Sequence, residues 1–122
     1  MTPDVYSHRD GVLTFVLCKC LTLLPEHRAR LRERGLDDEW IDGVGYRSTP
    51  STQAERDAVA ELVTPYLDAF GGGVPGFYHG GRRWRMVYCA SRGFFIPARD
   101  EYGRIQALAY RLDEPRDGAK YV

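Results

Sequence analysis

Two cysteines close together in the sequence offer the first chemistry to consider, which is metal binding. Cys18 and Cys20 are separated by one residue, with His8 upstream and His27 downstream, so thiols and imidazoles able to bind zinc occur in one region. Structural zinc sites use gaps of two or more residues between paired cysteines, because a one-residue gap points the two thiols apart on a strand. We therefore expect buried or idle thiols and a surface His27 here, with no metal and no other cofactor.

Nucleophilic catalysis is the second chemistry that the residue types allow. It requires a serine or cysteine beside a positioned base, and Ser7-His8 and Cys89-Ala90-Ser91, with His79 elsewhere, supply those types. None of them carries the glycine pattern of a nucleophile elbow or a recognisable third partner. We expect no catalytic residue in this chain, and therefore a protein that is not an enzyme.

Arginine is concentrated in one part of the chain. Seven arginines and two acidic residues lie between residues 76 and 111, a net charge of +5, although the whole chain is neutral. Lys19 and Lys120 are the only lysines. Arginine pairs bidentately with phosphate and stacks on bases, so the segment predicts recognition of phosphate or carboxylate groups. A GC-rich genome would explain the preference for arginine over lysine but not its clustering.

Aromatic side chains are interleaved with the first of these arginines. The arginines are Arg82, Arg83 and Arg85, and the aromatic residues are Phe77, Tyr78, Trp84 and Tyr88. Proteins hold single-stranded nucleic acid in this way, with cations along the backbone and bases stacked on aromatic faces. On this interpretation the three arginines and Trp84 bind nucleic acid. The alternative is that the aromatic rings belong to the core and the arginines are their solvated partners.

Size and composition indicate one cytoplasmic domain. A chain of 122 residues with 43% hydrophobic residues can form a single core. Charged residues interrupt any signal peptide before Val12, and the longest apolar stretch, 12–24, contains Lys19 and is too short to span a bilayer. Three cysteines without an export signal predict reduced thiols. We expect a cytoplasmic protein with no membrane partner.

Local signals predict three helices in the first part of the chain. Pro25 and Gly35 favour the start and the end of a helix over 25–34. At helical spacing one face of it is shared by Leu24, His27, Leu31 and Arg34. Asp37 is the expected cap of a short helix over 38–42 that turns Trp40 and Ile41 inward before Gly43 ends it. Segment 11–18 is predicted to be a β-rich or buried segment, and the choice between helix and strand stays open.

A capping box over 52–55 predicts the third and longest helix. Its buried face is expected to hold Ala58, Val59, Leu62, Val63, Tyr66, Leu67 and Phe70. Pro65 should kink or interrupt it, since proline lacks the N–H that bonds back to the preceding turn.

Period-two alternation takes over after the glycines at 71–73. It predicts a strand around Trp84 and Met86, then a hairpin of 94–98 with 104–112 in which Gly103 closes the turn. The expected class is α+β, with N-terminal helices packed on a small C-terminal antiparallel sheet. We expect residues 1–122 to form one domain in which residues 1–10 are loosely anchored.

Three segments of the chain resemble primases. They are 31–50 (LRERGLDDEWIDGVGYRSTP), 74–78 (VPGFY) and 94–122 (FFIPARDEYGRIQALAYRLDEPRDGAKYV). They closely resemble the N-terminal domain, before the Toprim fold, of primase-like replication proteins of conjugative elements and phages. They resemble more distantly the N-terminal subdomain of the catalytic core of DnaG-type primases. The shared pattern is an Arg-Gly-Leu helix pair ending in Gly-Tyr, a Phe-Pro-Ile-x-Asp strand, a Gly-Arg-Ile strand ending in arginine and a Lys-Tyr segment.

The resemblance implies a set of phosphate-binding residues. In such primases this subdomain supplies basic residues to the cleft that holds the template and the incoming nucleotide. Arg111 matches the arginine that closes the Gly-Arg strand, and Lys120 and Tyr121 match the Lys-Tyr pair. Arg99 matches the entry to the turn and joins the set, whereas Asp100 is structural. The sequence has no counterpart of the glutamate and Asp-x-Asp carboxylates that hold the two metals for phosphoryl transfer.

The sequence therefore predicts a non-catalytic, nucleic-acid-associated module of a mobile genetic element. Its DNA binding should weaken as salt rises, with single-stranded DNA the favoured partner. The alternative is a small phage or mobile-element inhibitor of the anti-CRISPR type, which binds a host nucleic-acid enzyme and blocks its DNA binding or activity. Carboxylates of the helical half could then mimic phosphates; they are Glu26, Glu33, Asp37, Asp38, Glu39 and Asp42. A fragment of a longer primase is a third interpretation, and the oligomeric state stays open.

Overall fold

Helices occupy most of the first half of the chain and antiparallel strands most of the second in the computed structural model, which describes residues 4–70, 73–87, 92–116 and 119–121. The helices are α1 (Val5–Phe15), continued by a π-helical turn (Val16–Cys20), α2 (Pro25–Glu33), α3 (Asp38–Val44) and α4 (Gln53–Phe70). The strands are β1 (Arg47–Ser48), β2 (Phe77–Gly80), β3 (Arg83–Met86), β4 (Gly93–Arg99), β5 (Ile105–Arg116) and β6 (Ala119–Tyr121). The predicted α+β class is confirmed.

Helix α1 begins where Asp4 caps it. Asp4 Oδ1 accepts hydrogen bonds from the backbone N–H groups of Tyr6 (3.0 Å) and Ser7 (3.4 Å). Segment 11–18, for which the sequence predicted a β-rich or buried segment without deciding between helix and strand, is helical throughout. Residues 4–10, which the sequence suggested were loosely anchored, lie in or cap this helix and are tied to β5. There Asp10 Oδ1 accepts the N–H of Ile105 at 2.8 Å.

Helices α2 and α3 follow the predicted signals at their starts. Pro25 is the first residue of α2, and Leu31 is buried on its inner face. His27, which we expected at the surface, is buried beside Leu31. Gly35 follows α2 with φ of 92°, a left-handed conformation that glycine adopts without strain. Asp37 caps α3 by accepting the N–H of Trp40 at 2.8 Å.

Two predictions about α3 are wrong. The side chain of Trp40 is exposed (59%), whereas Ile41 is fully buried. Adjacent helical positions point about 100° apart, so a two-turn helix that buries Ile41 against α2 and β4 leaves Trp40 at the surface. The helix also continues past Gly43 to Val44 and ends at Gly45, which has φ of 91°.

Helix α4 is the predicted long helix, and it is not interrupted. Thr52 Oγ1 accepts the N–H of Glu55 at 3.1 Å, while the Glu55 carboxylate bonds to the N–H of Ser51. The helix passes through Pro65 to Phe70. Pro65 is exposed, so water can reach the carbonyl group that the missing proline N–H leaves unbonded.

The inner face of α4 matches the prediction, but its predicted buried face is too wide. Val59, Val63 and Leu67 are buried. Leu62 and Tyr66 are exposed by 53% and 49%, and Ala58 is exposed as well. Strand β3 and the end of α1 pack on two sides of α4, and they leave about half of Leu62 and of Tyr66 uncovered.

The strands form two separate antiparallel sheets rather than the single sheet expected. One has the order β1-β4-β5-β6, and the other is the β2–β3 hairpin. The predicted β4–β5 hairpin is confirmed, with Phe94 opposite Arg111 and Gly103 at φ of 81° in the turn. Strand β4 runs so close to β5 that a side chain at Gly93 would overlap the carbonyl group of Arg111.

Two apolar clusters join the helices to the sheet. The larger is built from α1, α4 and the sheet, with Leu13, Val63 and Phe95 among its members. The smaller consists of Leu31 and Ile41 packed on Phe94, and it fixes α2 and α3 over β4. Within the described residues, no helix combines the length and apolar character needed to cross a bilayer.

Candidate nucleic-acid interface

Three of the predicted arginines lie on the β2–β3 hairpin, each in a different environment. Arg82 is exposed in the turn. Arg83 Nη2 is 3.7 Å from Asp57 Oδ2 of α4, and an exposed ion pair of that length contributes little. Arg85 is half-buried, and its Nε donates to the carbonyl of Gly80 at 3.2 Å. Arg82 and Arg83 can therefore reach a polyanion, whereas Arg85 holds the hairpin together.

Trp84 fixes the hairpin to α4. Its Nε1 donates to Asp68 Oδ1 at 2.7 Å, and its ring meets the ring of His79 edge-on with centroids 5.2 Å apart. The ring also packs against the larger apolar cluster. The geometry of Trp84 therefore favours the alternative in which its ring belongs to the core. It does not favour a ring that is free to stack on a base.

Arg99 spans the turn between β4 and β5. Its Nη1 donates to the carbonyl of Gly103 and its Nη2 to the carbonyl of Val44, both at 3.1 Å. These bonds tie the turn to the end of α3. The geometry therefore favours a structural role for Arg99 over the predicted phosphate contact.

Asp100 organises the same turn, as the resemblance implies. Its Oδ1 accepts the N–H groups of Tyr102 and Arg104, and its Oδ2 accepts Arg104 Nε at 2.8 Å. Desolvation alone would raise the pKa of Asp100, but the hydrogen bonds from Arg104 and Tyr102 outweigh it and lower the pKa. Arg104 is thereby committed to the turn.

Arg111 lies in a cleft between β5 and α2. The cleft has a volume of about 400 Å³ and is lined by Arg30, Glu33, Arg34, Phe94, Arg111, Leu112 and Asp113. Arg30 lies in α2 and Arg34 caps its end, one helical turn further on, so both side chains can lie on the side that faces β5. The sequence reasoning missed this pair. Their spacing of four residues was the available signal, but only the packing of α2 on the sheet brings them to Arg111.

Three guanidinium groups and two carboxylates surround this cleft. Asp113 Oδ1 lies 3.3 Å from Arg30 Nη1. Within the described part of the chain, Arg34 and Glu33 take part in no ion pair. An unpaired arginine that flanks two others favours binding of an anion.

Strand β6 extends the site along the backbone. Tyr121 lies opposite Arg111 in the pairing of β5 with β6, and Lys120 precedes it in the strand. The three residues implied by the primase resemblance therefore lie on neighbouring strands. The side chains of Lys120 and Tyr121 lie outside the described residues.

A buried chain of hydrogen bonds runs behind the cleft. His27 Nδ1 is 2.6 Å from Ser48 Oγ, and His27 Nε2 is 2.8 Å from Asp113 Oδ1. The order serine, histidine, aspartate is also that of a hydrolytic triad. Here, however, Ser48 is buried and its Oγ accepts the N–H of Leu24 at the start of α2. The arrangement joins α2, β1 and β5, and no sequence signal pointed to it, because its members are up to 86 residues apart.

The acidic residues considered for phosphate mimicry are mostly engaged within the molecule. Arg28 bonds to Asp38 (2.9 Å) and Asp42 (2.6 Å), and Arg32 also bonds to Asp38. The bonds from Arg32 and Arg28 lower the pKa of Asp38. Of the others, Glu26 accepts from Arg92, and Asp37 caps α3. Glu33 and Glu39 make no ion pair within the described residues.

The two cysteines of the candidate zinc motif lie in the π-helical turn. Cys18 is exposed and Cys20 is half-buried, and burial raises the pKa of the Cys20 thiol. No group of three or more histidine, cysteine or acidic residues suited to a metal ion occurs among the residues that the structure describes.

Comparison with solved structures identifies the fold. The chain superimposes on the zinc-binding and RNA polymerase domains of the Aquifex aeolicus primase with a TM-score of 0.62 at 19% identity, covering 97% of this chain and 28% of that one. It matches the RNA polymerase domain of Mycobacterium tuberculosis primase DnaG with a TM-score of 0.60 at 19% identity, covering 97% of this chain and 38% of that one. No protein-family model and no curated protein matches the sequence.

These structures share the fold of this chain at low sequence identity, and the chain spans about a third of their length. The closer resemblance to primase-like proteins of conjugative elements and phages stays a prediction. The distant one is confirmed at the level of the fold: the chain adopts a primase-like fold.

Proposed function

We propose that this chain is a nucleic-acid-binding module that holds phosphate groups in the cleft between α2 and β5. The observation that carries the proposal is the convergence of Arg30, Arg34 and Arg111 on one cleft in a fold shared with primase domains. Guanidinium groups bind phosphate bidentately. Lys120 and Tyr121 would extend the contact along the next strand, and Arg82 and Arg83 would supply a second, weaker contact from the hairpin.

The proposal assigns binding and not catalysis to this chain. Phosphoryl transfer by two metal ions requires carboxylates around the reacting phosphate. Guanidinium groups outnumber carboxylates around this cleft, and their positive charge would repel divalent cations. We therefore propose a non-catalytic module of a mobile genetic element that acts beside another nucleic-acid enzyme.

Single-stranded DNA is the ligand that we propose, because the primase resemblance implies a cleft that holds a template strand, and the arginines of this cleft can bind the phosphates of such a strand. Binding should be governed by counterion release, and its affinity should fall as salt rises.

Fluorescence anisotropy with a labelled 12-nucleotide single strand and its duplex, each at two salt concentrations, tests this proposal. The single strand should bind more tightly, and Arg34→Ala and Arg111→Ala should each weaken it about tenfold and reduce the salt slope by about 1. Arg32→Ala is the matched control, because Arg32 lies on α2 but pairs with Asp38. Equal effects of the Arg32 and Arg34 variants, or no binding by the wild type, would overturn the proposal.

The inhibitor function is the second candidate, and it is less well supported. Four of the six carboxylates that would mimic phosphates are bonded to arginines or cap a helix. A carboxylate paired within its own molecule presents little negative charge to a partner. If the wild type binds no DNA, displacement of DNA from a purified host nuclease becomes the experiment to perform.

A further inference from the structure

The outer face of α4 is an apolar stripe at the protein surface. Its members follow one another at helical spacing, and they are Ala58, Leu62, Tyr66 and Ala69, all exposed. The ring of Phe15, at the end of α1, lies 5.4 Å from the ring of Tyr66 and widens the stripe at one end. From residue 58 to residue 69 the stripe is about 17 Å long, given a rise of 1.5 Å per residue.

This stripe is separate from the face that α4 uses in the fold. Val59, Val63 and Leu67 each follow a residue of the stripe, so they point about 100° away from it, and they are buried in the core. A helix in a globular protein normally carries one apolar face and presents polar residues elsewhere. Exposed large apolar residues that are contiguous mark interaction sites more often than scattered ones do. The apolar stripe of α4 thus indicates a surface to which another protein surface binds.

The charge of α4 indicates what covers it. The helix carries four carboxylates, at Glu55, Asp57, Glu61 and Asp68, and one arginine, Arg56, which is buried. Glu61 makes no ion pair within the described residues and lies one position from Leu62. Asp57 lies beside Arg83, Asp68 accepts from Trp84 and Glu55 accepts from Ser51, so the charge next to the stripe comes mainly from Glu61. A second copy docked through the stripe would bring Glu61 close to its own counterpart, which is unfavourable for like charges. A partner with basic residues would be attracted instead.

We infer that the Leu62–Tyr66 face of α4 is a docking site for a basic amphipathic helix of a partner protein. Leucine-like side chains of the partner would pack between Leu62, Tyr66 and Phe15, as in other helix-in-groove interfaces. Lysine or arginine residues at its edge would pair with Glu61. The stripe matches a partner helix of about 12 residues. This surface lies on a different helix from the α2–β5 cleft, so docking does not depend on the proposed DNA binding.

A labelled model peptide provides the test. The probe is an 18-residue helix of leucines and lysines with the leucines on one face, and its counterpart has glutamate in place of every lysine. Fluorescence anisotropy with the full chain should give binding of the lysine peptide at least about tenfold tighter than that of the glutamate peptide. Leu62→Asp should weaken the lysine peptide about tenfold or more, and Glu61→Lys should weaken it several-fold.

Three controls make the result decisive. Tyr78→Asp places the same charge as Leu62→Asp at a different exposed residue (48%). It should leave the affinity for the lysine peptide unchanged, as should Arg111→Ala. Leu62 is exposed, so circular dichroism should show that Leu62→Asp remains folded. Equal binding of both peptides, or equal loss in the Leu62 and Tyr78 variants, would overturn the inference. So would sedimentation that reveals a wild-type dimer dissociated by Leu62→Asp, because the stripe would then be covered by a second copy.

Discussion

His27 and Asp113 are joined across 86 residues of sequence by a hydrogen bond of 2.8 Å from the ring Nε2 to the carboxylate Oδ1. The same carboxylate oxygen lies 3.3 Å from Arg30 Nη1 at the wall of the cleft. On its other side the His27 ring is held by Ser48 at 2.6 Å. A buried residue thus orients a carboxylate that competes with phosphate for Arg30, which links the interior to the proposed binding site.

Two substitutions at His27 separate its two hydrogen bonds. The amide of glutamine reaches about as far as Nε2 and can retain the contact with Asp113, whereas the amide of asparagine reaches only as far as Nδ1 and can retain the contact with Ser48. Each variant should lose about 1 to 3 kcal/mol of stability, because one buried partner is left unsatisfied. We expect His27→Asn to bind single-stranded DNA several-fold more weakly than His27→Gln, since a released Asp113 can pair with the cleft arginines.

Urea denaturation and DNA anisotropy on both variants check this prediction. If the two bind DNA equally while losing similar stability, His27 serves the fold alone. If the wild type itself fails to bind, the proposed function falls and the role of His27 is left as a structural one.

Among the glycines that the structure describes, Gly93 tolerates a side chain least. An added Cβ would overlap the backbone carbonyl of Arg111, so the two central strands would have to separate. Gly93→Ala should therefore cost about 3 kcal/mol or more, measured by urea denaturation or seen as loss of folded protein. Gly11→Ala is the matched control, because Gly11 lies within α1 with open space around it. That change should stabilise the protein by about 0.5 to 1 kcal/mol; a comparable loss in both variants would contradict the prediction.

Asp38 should make stability depend on pH on the acid side. Its pKa in the folded state is lowered by hydrogen bonds from Arg32 and Arg28, from an ordinary value of 3.8. The unfolded chain therefore binds a proton first as the pH falls, and the stabilisation present above 3.8 is lost as the pH falls below it. The stability difference between wild type and Asp38→Asn should shrink between pH 5 and pH 2.5. Arg32→Ala removes the hydrogen-bond donor that contributes most to this shift and should weaken the trend in the same urea titrations.

The two thiols of the π-helical turn should react at different rates. Cys18 is exposed, whereas Cys20 is half-buried and its pKa is raised by burial. Alkylating agents attack the thiolate, so iodoacetamide at pH 8 should modify Cys18 several-fold faster than Cys20. Peptide mapping by mass spectrometry over time measures both rates in one sample. Equal rates would mean that the turn opens readily in solution.

The parts of the fold that depend on neighbouring residues could be predicted from the sequence. Asp37 and Thr52 cap their helices as predicted, and Gly103 closes the β4–β5 turn, because capping and turn formation are decided within three or four residues. Segment 11–18 could not be assigned, since a short apolar run fits a buried strand and a buried helix alike. The prediction that Leu62 is buried was wrong. Helical periodicity identifies the apolar positions of a helix, but it does not show how many of its faces are covered by neighbouring elements.

The candidate site could be predicted only in part, for a related reason. Arg111 was predicted from the resemblance of the β5 segment to primases, and it lies in the cleft. Arg30 and Arg34 come from α2, and their meeting with Arg111 depends on the packing of Leu31 and Ile41 on Phe94. Counting charge along the chain also combined Arg85 and Arg111 in one patch, although their strands belong to different sheets. Charge in a segment does not specify which strands pair.

The attachment of α1 to β5 affects how the protein folds during its synthesis. Asp10 bonds to Ile105, and Gln106 bonds to the carbonyl of Tyr6, over separations of 95 and 100 residues. During translation the apolar side of α1 therefore leaves the ribosome long before the strand that shelters it has been made. Closing so long a loop is entropically costly and slows folding. Nascent chains should thus remain prone to aggregation until β5 has been synthesised. A chaperone that shields α1 during this time should raise the yield of native protein.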